Sequence, residues 1–192
     1  MKVETREKLL ESAKELFSKK GYYETKISDI VEKSGVAQGT FYIYFKSKEE
    51  IFLELVKSLH EDLIKKLEKY ITLEKECEVL IKDFVKEFLT EVYTNKEIAD
   101  IFFSQLLGLN QEFKKLYIKK ISDIQNLIFK VLNRFFPEEE SQILSTLILG
   151  FIRQIFFNCL TNKNLSLDKM LSKAEKGIDI IFQGVYSEGR KS

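Results

Sequence analysis

The sequence predicts an all-α fold, with a short three-helix domain at the N-terminus and a larger helical domain after it. Three observations predict it. One proline and eight glycines serve 192 residues, so few strand or hairpin signals interrupt the chain. Apolar residues recur at spacings of three and four throughout. Residues 25–50, TKISDIVEKSGVAQGTFYIYFKSKEE, hold two short helices split by a glycine turn, then an aromatic run, then a new helix start. That layout suits a helix-turn-helix, which lays its second helix in the DNA major groove.

Helix one is expected over about 4–20, with Leu9, Leu10, Ala13, Leu16 and Phe17 as its buried stripe. Gly21 follows Lys19 and Lys20, a stop with cations on the negative helix end. Helix two, about 26–34, turns Ile27, Ile30 and Val31 inward and ends at Ser34-Gly35. Helix three covers about 37–44, and Phe41 and Phe45 share one face at spacing four. A period of two over FYIYF would also fit a strand, but helices directly before and after argue against it. Ser47 and Glu50 form an S-x-x-E start for helix four, which runs to about Tyr70 through Ile51, Phe52, Leu55, Leu59, Leu63 and Leu67. Longer helices follow near 75–94, 96–108, 110–136, 138–161 and 167–187, jointed at Asn95, Asn110, Pro137, Asn162 and Asn164. The expected domains are 1–46 and 47–192, with helix four shared between them.

Composition excludes more than it selects. Hydrophobic residues are 44% and charged residues 32%, and the net charge of +1 gives no global basic field. Locally, Val36 to Lys48 carries Lys46 and Lys48 and no acid. Cys77 and Cys159 lie far apart in apolar runs, so buried free thiols in a reducing cytoplasm are expected, with no metal site. The first twenty residues are charged and periodic, unlike a signal peptide. The apolar run Ile143–Ile152 is shorter than the ~20 residues a membrane span needs, so no membrane partner is expected. An enzyme is not expected either. The one histidine, His60, lies in SLHEDL on an expected solvated edge of helix four, and no P-loop, dinucleotide fingerprint or HExxH occurs. No cofactor is implied.

Within the 25–50 segment each residue type has a physical reason. Gly35 suits a left-handed backbone between helices. Gly39 inside a helix costs about 1 kcal/mol relative to alanine, which close approach of the backbone to a phosphate or base edge would offset. Tyr42 and Tyr44, beside Lys46 and Lys48, are suitable phosphate donors.

Residues 6–56 resemble the DNA-binding domain of the TetR family of bacterial and archaeal repressors. The matching stretch is LLESAKELFSKKGYYETKISDIVEKSGVAQGTFYIYFKSKEEIFLEL, and GVAQGTFYIYFKSKEE is its most specific phrase. The resemblance implies roles for matching positions. Thr25 and Lys26 would hold phosphate through side chain and helix N-terminal amides. Gln38 would bond adenine, with Gly39 close to the DNA and Thr40 on a base edge or thymine methyl. Tyr42 and Tyr44 would grip the backbone, and Lys48 the flanking phosphate. Ala37 stands where the family often has a serine or threonine cap, so the cap is weaker here.

The resemblance further implies a homodimer, a palindromic double-stranded DNA operator and a helical domain that binds a small molecule. Residues 143–160, ILSTLILGFIRQIFFNCL, are apolar almost all round, as a helix buried on more than one side would be. A partner subunit could cover part of it, beside a last helix with Leu171, Ala174, Ile178, Ile181, Phe182 and Val185. Sixteen phenylalanines and eight tyrosines suit either a plain core or an apolar cavity for a lipophilic effector, such as an acyl compound. The candidate lining is Phe84, Phe88, Phe103, Leu106, Tyr117 and Phe151, while Arg153 and Gln154 would orient an anionic head, meet an interface or snorkel outward. The expected function is a ligand-responsive repressor. The other reading is a helical scaffold or adaptor without sequence-specific DNA binding.

Overall fold

The structure, a computed structural model, describes residues 2–107, 111–162 and 165–188. Every regular element among them is a helix: α1 (Lys2–Lys20), α2 (Ile27–Ser34), α3 (Gln38–Tyr44), α4 (Lys48–Glu68), α5 (Cys77–Thr94), α6 (Lys96–Leu107), α7 (Gln111–Leu132), α8 (Glu138–Thr161) and α9 (Leu167–Glu188). A single 3-10 turn, Lys69–Ile71, follows α4. The joints expected at Asn110 and Asn164 lie outside the described residues.

Two compact units form, one from Met1–Asp62 with Asn95–Tyr117 and the other from Leu63–Thr94 with Ile118–Ser192. The first unit takes in much of α4, all of α6 and the start of α7. Ile51, Phe52, Leu55 and Val56 of α4, Ile98 and Phe102 of α6, and Phe113 of α7 share one buried cluster with Leu9, Ala13, Phe17, Ile30 and Phe41. Aromatic contacts hold that cluster. Phe52 meets Phe17 edge-on at 5.5 Å and Tyr22 at 5.2 Å, and stacks on Phe113 at 6.0 Å. Such pairs add about 0.5–1.5 kcal/mol each beyond area burial. α4 is shared as expected, giving residues 48–62 to the first unit and 63–68 to the second.

His60 is buried, not at a solvated edge. It lies four residues after Val56 and three before Leu63, on the stripe that α4 turns inward. α7 ends at Leu132 rather than 136. The Phe135 and Phe136 amides both bond to the Leu132 carbonyl, at 2.8 and 3.0 Å, closing a tight turn. Phe136 precedes Pro137, whose ring disfavours helical backbone there.

In the second unit, α5 buries Leu80, Ile81, Phe84, Val85 and Leu89, and α9 buries Met170, Ala174, Ile178 and Phe182. Lys82 of α5 pairs with Glu78 at 2.7 Å and with Asp179 of α9. Gly177 gives α9 the space that Phe151 of α8 fills: a β-carbon there would come within 1.9 Å of the ring. By length and composition alone α8 as a whole would suffice to cross a bilayer. Leu144, Ile148, Leu149, Ile152, Ile155, Phe156 and Cys159 are nevertheless buried within the protein, so it serves as a core helix. Its buried Ser141 and Ser145 hydroxyls donate to the carbonyls of Phe136 and Gln142. Cys77 and Cys159 are buried and not joined in a disulfide, and burial pushes the Cys77 thiol up to about 12, far from thiolate chemistry.

Candidate nucleic-acid interface

The turn between α2 and α3 is built as the sequence implies. Gly35 adopts φ 70°, its amide bonds to the Glu32 carbonyl at 3.2 Å, and the Val36 amide bonds to the Val31 carbonyl at 3.1 Å. The left-handed residue thus satisfies carbonyls that the helix end leaves open. α3 starts from Ala37 with no side-chain cap, as expected from its missing hydroxyl.

α3 has one buried side. Phe41 and Phe45 are buried, 5.7 Å apart, and seat it on the first unit. The helical phase then turns the others outward. Gln38 and Gly39 are exposed, Thr40 and Tyr44 half-buried. Tyr42 is 51% exposed and Ile43 75%. A β-carbon at Gly39 would meet nothing within 4 Å, so packing within the protein does not require glycine there. Ile43 was missed by sequence reasoning because it offers no hydrogen bond. Its place three residues after Thr40 was the available signal. Tyr23, also strongly exposed, was missed for want of helical phase in its turn.

α4 is capped by Ser47, whose hydroxyl accepts the Glu50 amide at 3.1 Å. The Glu50 carboxylate reaches back one residue further than a capping box requires and accepts the Lys46 amide at 2.5 Å. Arg6 of α1 pairs with Glu54 of α4 at 2.7 Å, with its guanidinium over the Phe45 ring.

Two residues expected to hold phosphate have partners within the protein. Thr25 is 0% exposed, and its hydroxyl donates to the Gly21 carbonyl at 2.6 Å. The Lys48 ammonium donates to the carbonyls of Tyr22 at 2.7 Å, Thr25 at 2.9 Å and Tyr23 at 3.4 Å. It also stands 4.5 Å from the Tyr22 ring centroid. Burial holds it below the usual lysine value, with Glu24 opposing. Lys26 is exposed, but its amide bonds to Asp29 at 3.0 Å, and Lys20 salts the same carboxylate at 2.6 Å. Asp29 therefore occupies the α2 N-terminus where an external anion was expected.

The candidate effector residues are divided between the two units. Phe103 and Tyr117 fall in the first unit, ring to ring at 5.9 Å. Phe84 is buried and Phe88 and Phe151 half-buried in the second. The side chain of Leu106 lies outside the described residues. Arg153 and Gln154 are exposed, because helical phase sets them on the side of α8 that carries Ile143, Leu147, Gly150 and Phe157. Lys120, not singled out from the sequence, stands four residues before Ile124 on the stripe that α7 buries with Leu127, Ile128 and Val131. Burial pushes its ammonium down to about 8.

Residues 9–55 match the family described as bacterial regulatory proteins, tetR family, and residues 79–181 match the tetracyclin repressor-like C-terminal domain. An uncharacterised HTH-type transcriptional regulator of Bacillus subtilis, YdgC, is 29% identical over 97% of this chain and 95% of that protein. A solved transcriptional regulator of the TerR/AcrR family from Aquifex aeolicus VF5 is 32% identical, covers 92% of this chain and 99% of its own, and superposes with a TM-score of 0.76. The FadR regulator of Bacillus subtilis, solved in complex with stearoyl-CoA, is 20% identical over 89% of this chain and 96% of its own, with a TM-score of 0.73.

Proposed function

Because the chain belongs to the TetR family of transcriptional regulators, we propose that it represses transcription as a homodimer on a palindromic operator and is released by a lipophilic small molecule. The observation that carries this reading is the outward row of α3. Gln38, Gly39, Thr40, Tyr42 and Ile43 face away from a helix whose other side is anchored by Phe41 and Phe45. A scaffold protein would have no use for that row. Residues 1–46 read DNA, and 47–192 hold the effector and the partner subunit.

Gln38 bonds adenine at its N6 and N7 edge, and Thr40 and Ile43 meet thymine methyls. Gly39 admits the sugar-phosphate backbone closely. Tyr42, Tyr44 and Lys26 position the protein on phosphate without reading sequence. Selection from a random duplex library, followed by titration of the enriched site, tests the reading. A palindrome with half-sites about 34–36 Å apart is expected. Failure to retain any duplex at low ionic strength would overturn it. Gln38→Ala should lose about 1–3 kcal/mol of discrimination at one base pair per half-site and little elsewhere, measured by competition with single-substituted operators.

The effector reading rests on aromatic density and on the likeness to a protein solved with stearoyl-CoA. Lys120 supplies the anionic end with a cation, since a bound carboxylate or phosphate favours the charged form that burial disfavours. Lys120→Met should leave operator affinity intact and weaken release by a long-chain fatty acid or its coenzyme A thioester, read by fluorescence anisotropy. Unchanged release would remove Lys120 from the site. Effector and operator oppose each other through one reciprocal coupling energy, typically about 1–3 kcal/mol.

A further inference from the structure

The residues between α1 and α2 form a cage of converging carbonyls. Gly21 leaves α1 at φ 87° while its amide still bonds to the Phe17 carbonyl at 3.0 Å. The Gly21 carbonyl then takes the Thr25 hydroxyl, and the carbonyls of Tyr22, Tyr23 and Thr25 all take the Lys48 ammonium. Four peptide oxygens within five residues are thereby aimed at two side chains. Oxygens gathered this closely repel one another unless a cation sits among them. An ammonium is a compact charge with three donors, one for each of three oxygens. The Tyr22 ring, itself fixed against Phe17 and Phe52, closes the cage from the side.

We propose that Lys48 is a positioning residue for DNA reading: its ammonium pins the α1–α2 turn, and so sets the pose of α2 and α3, instead of holding phosphate. The proposal rests on the reading of α3 as the DNA-reading helix. The geometry supports it in two steps. α2 begins at Ile27, two residues after the last pinned carbonyl, so its direction is set by the cage. α3 follows through the Gly35 turn, whose own bonds run back into α2. A phosphate contact would need the ammonium to leave three carbonyls at once, those of Tyr22 and Thr25 part-buried, and one solvated phosphate contact does not replace three such bonds.

Arginine separates the two roles. Its planar fork suits phosphate at least as well as lysine does, but it cannot converge three donors on oxygens around a single point. Lys48→Arg and Lys48→Met should therefore both weaken operator binding by about tenfold or more. Affinity for random duplex and the slope of log affinity against log salt should stay as in the wild type. If Lys48 held phosphate, arginine would restore operator affinity, and methionine would weaken all duplexes alike and lower the slope by about 1. Either result overturns the proposal.

A structural loss alone would lower the fraction of active protein without changing the operator-to-random ratio of what remains, so that ratio is the deciding readout. The wild-type protein supplies a measurement that needs no variant to fold. Its Lys48 ¹⁵Nζ signal should be protected from solvent exchange, and its shift should hold when operator is added. A rapidly exchanging signal, or one that moves on DNA, would overturn the pin. If the wild type selects no operator, the reading of α3 fails, while protection of the ammonium still decides whether the turn is pinned.

Discussion

Phe41→Ala should cost about 3–5 kcal/mol of stability and abolish operator binding. The ring is 0% exposed and packs against Phe45 at 5.7 Å and Tyr42 at 5.4 Å. Truncation leaves a void beneath a helix of seven residues. So short a helix has little stability of its own and depends on the face it buries. A domain holds only about 5–15 kcal/mol in total, so this one side chain represents a large share. The N-terminal unit should melt earlier in denaturant titrations, and α3 should lose its amide protection first. Loss of less than about 1 kcal/mol with binding retained would show that α3 is not seated by this ring.

The contrast with Tyr42 shows how much a sequence encodes. Phe41 and Phe45 share a helical phase, and the side they bury follows from spacing alone. Gly35 and Ser47 were legible for a similar reason: each acts within a few residues of itself, through a left-handed turn or a helix cap. The carbonyl contacts of Lys48 were not legible. Its partners lie 23 to 26 residues earlier, and a lysine after a basic, aromatic run resembles a phosphate ligand until the turn is folded beneath it. The carbonyl partner of Thr25 was not legible either, since a hydroxyl at a helix start suits a cap, a phosphate or a neighbouring carbonyl equally well.

Phase also accounts for the second unit. α8 reads as apolar nearly all round, so composition alone does not tell its two faces apart. Packing against α5 and α9 does, leaving Ile143, Leu147 and Phe157 outside and carrying Arg153 and Gln154 with them. Lys120 is the converse case. Its spacing from Ile124 sets it on the stripe that α7 turns inward, and the long aliphatic stem lets it stay half-buried there.

Leu147→Glu should turn the proposed dimer into monomers and reduce operator affinity to that of a single half-site. Leu147 is 53% exposed on α8, four residues after Ile143, and Ile180 on α9 is 69% exposed. Exposed side chains of this size, with Ile143 and Phe157 also outward on α8, are apolar surface that water does not favour. We assign it to a second copy of the chain. In a two-fold interface each residue lies against the same patch on the partner, so one substitution buries two carboxylates. Like charges brought together and desolvated cost several kcal/mol, which micromolar association cannot absorb. Sedimentation velocity at micromolar concentration should give a monomer with unchanged helical content. Operator affinity should fall because two reading helices no longer bind as one unit. A Leu147→Glu protein that still sediments as a dimer would move the interface away from α8 and α9.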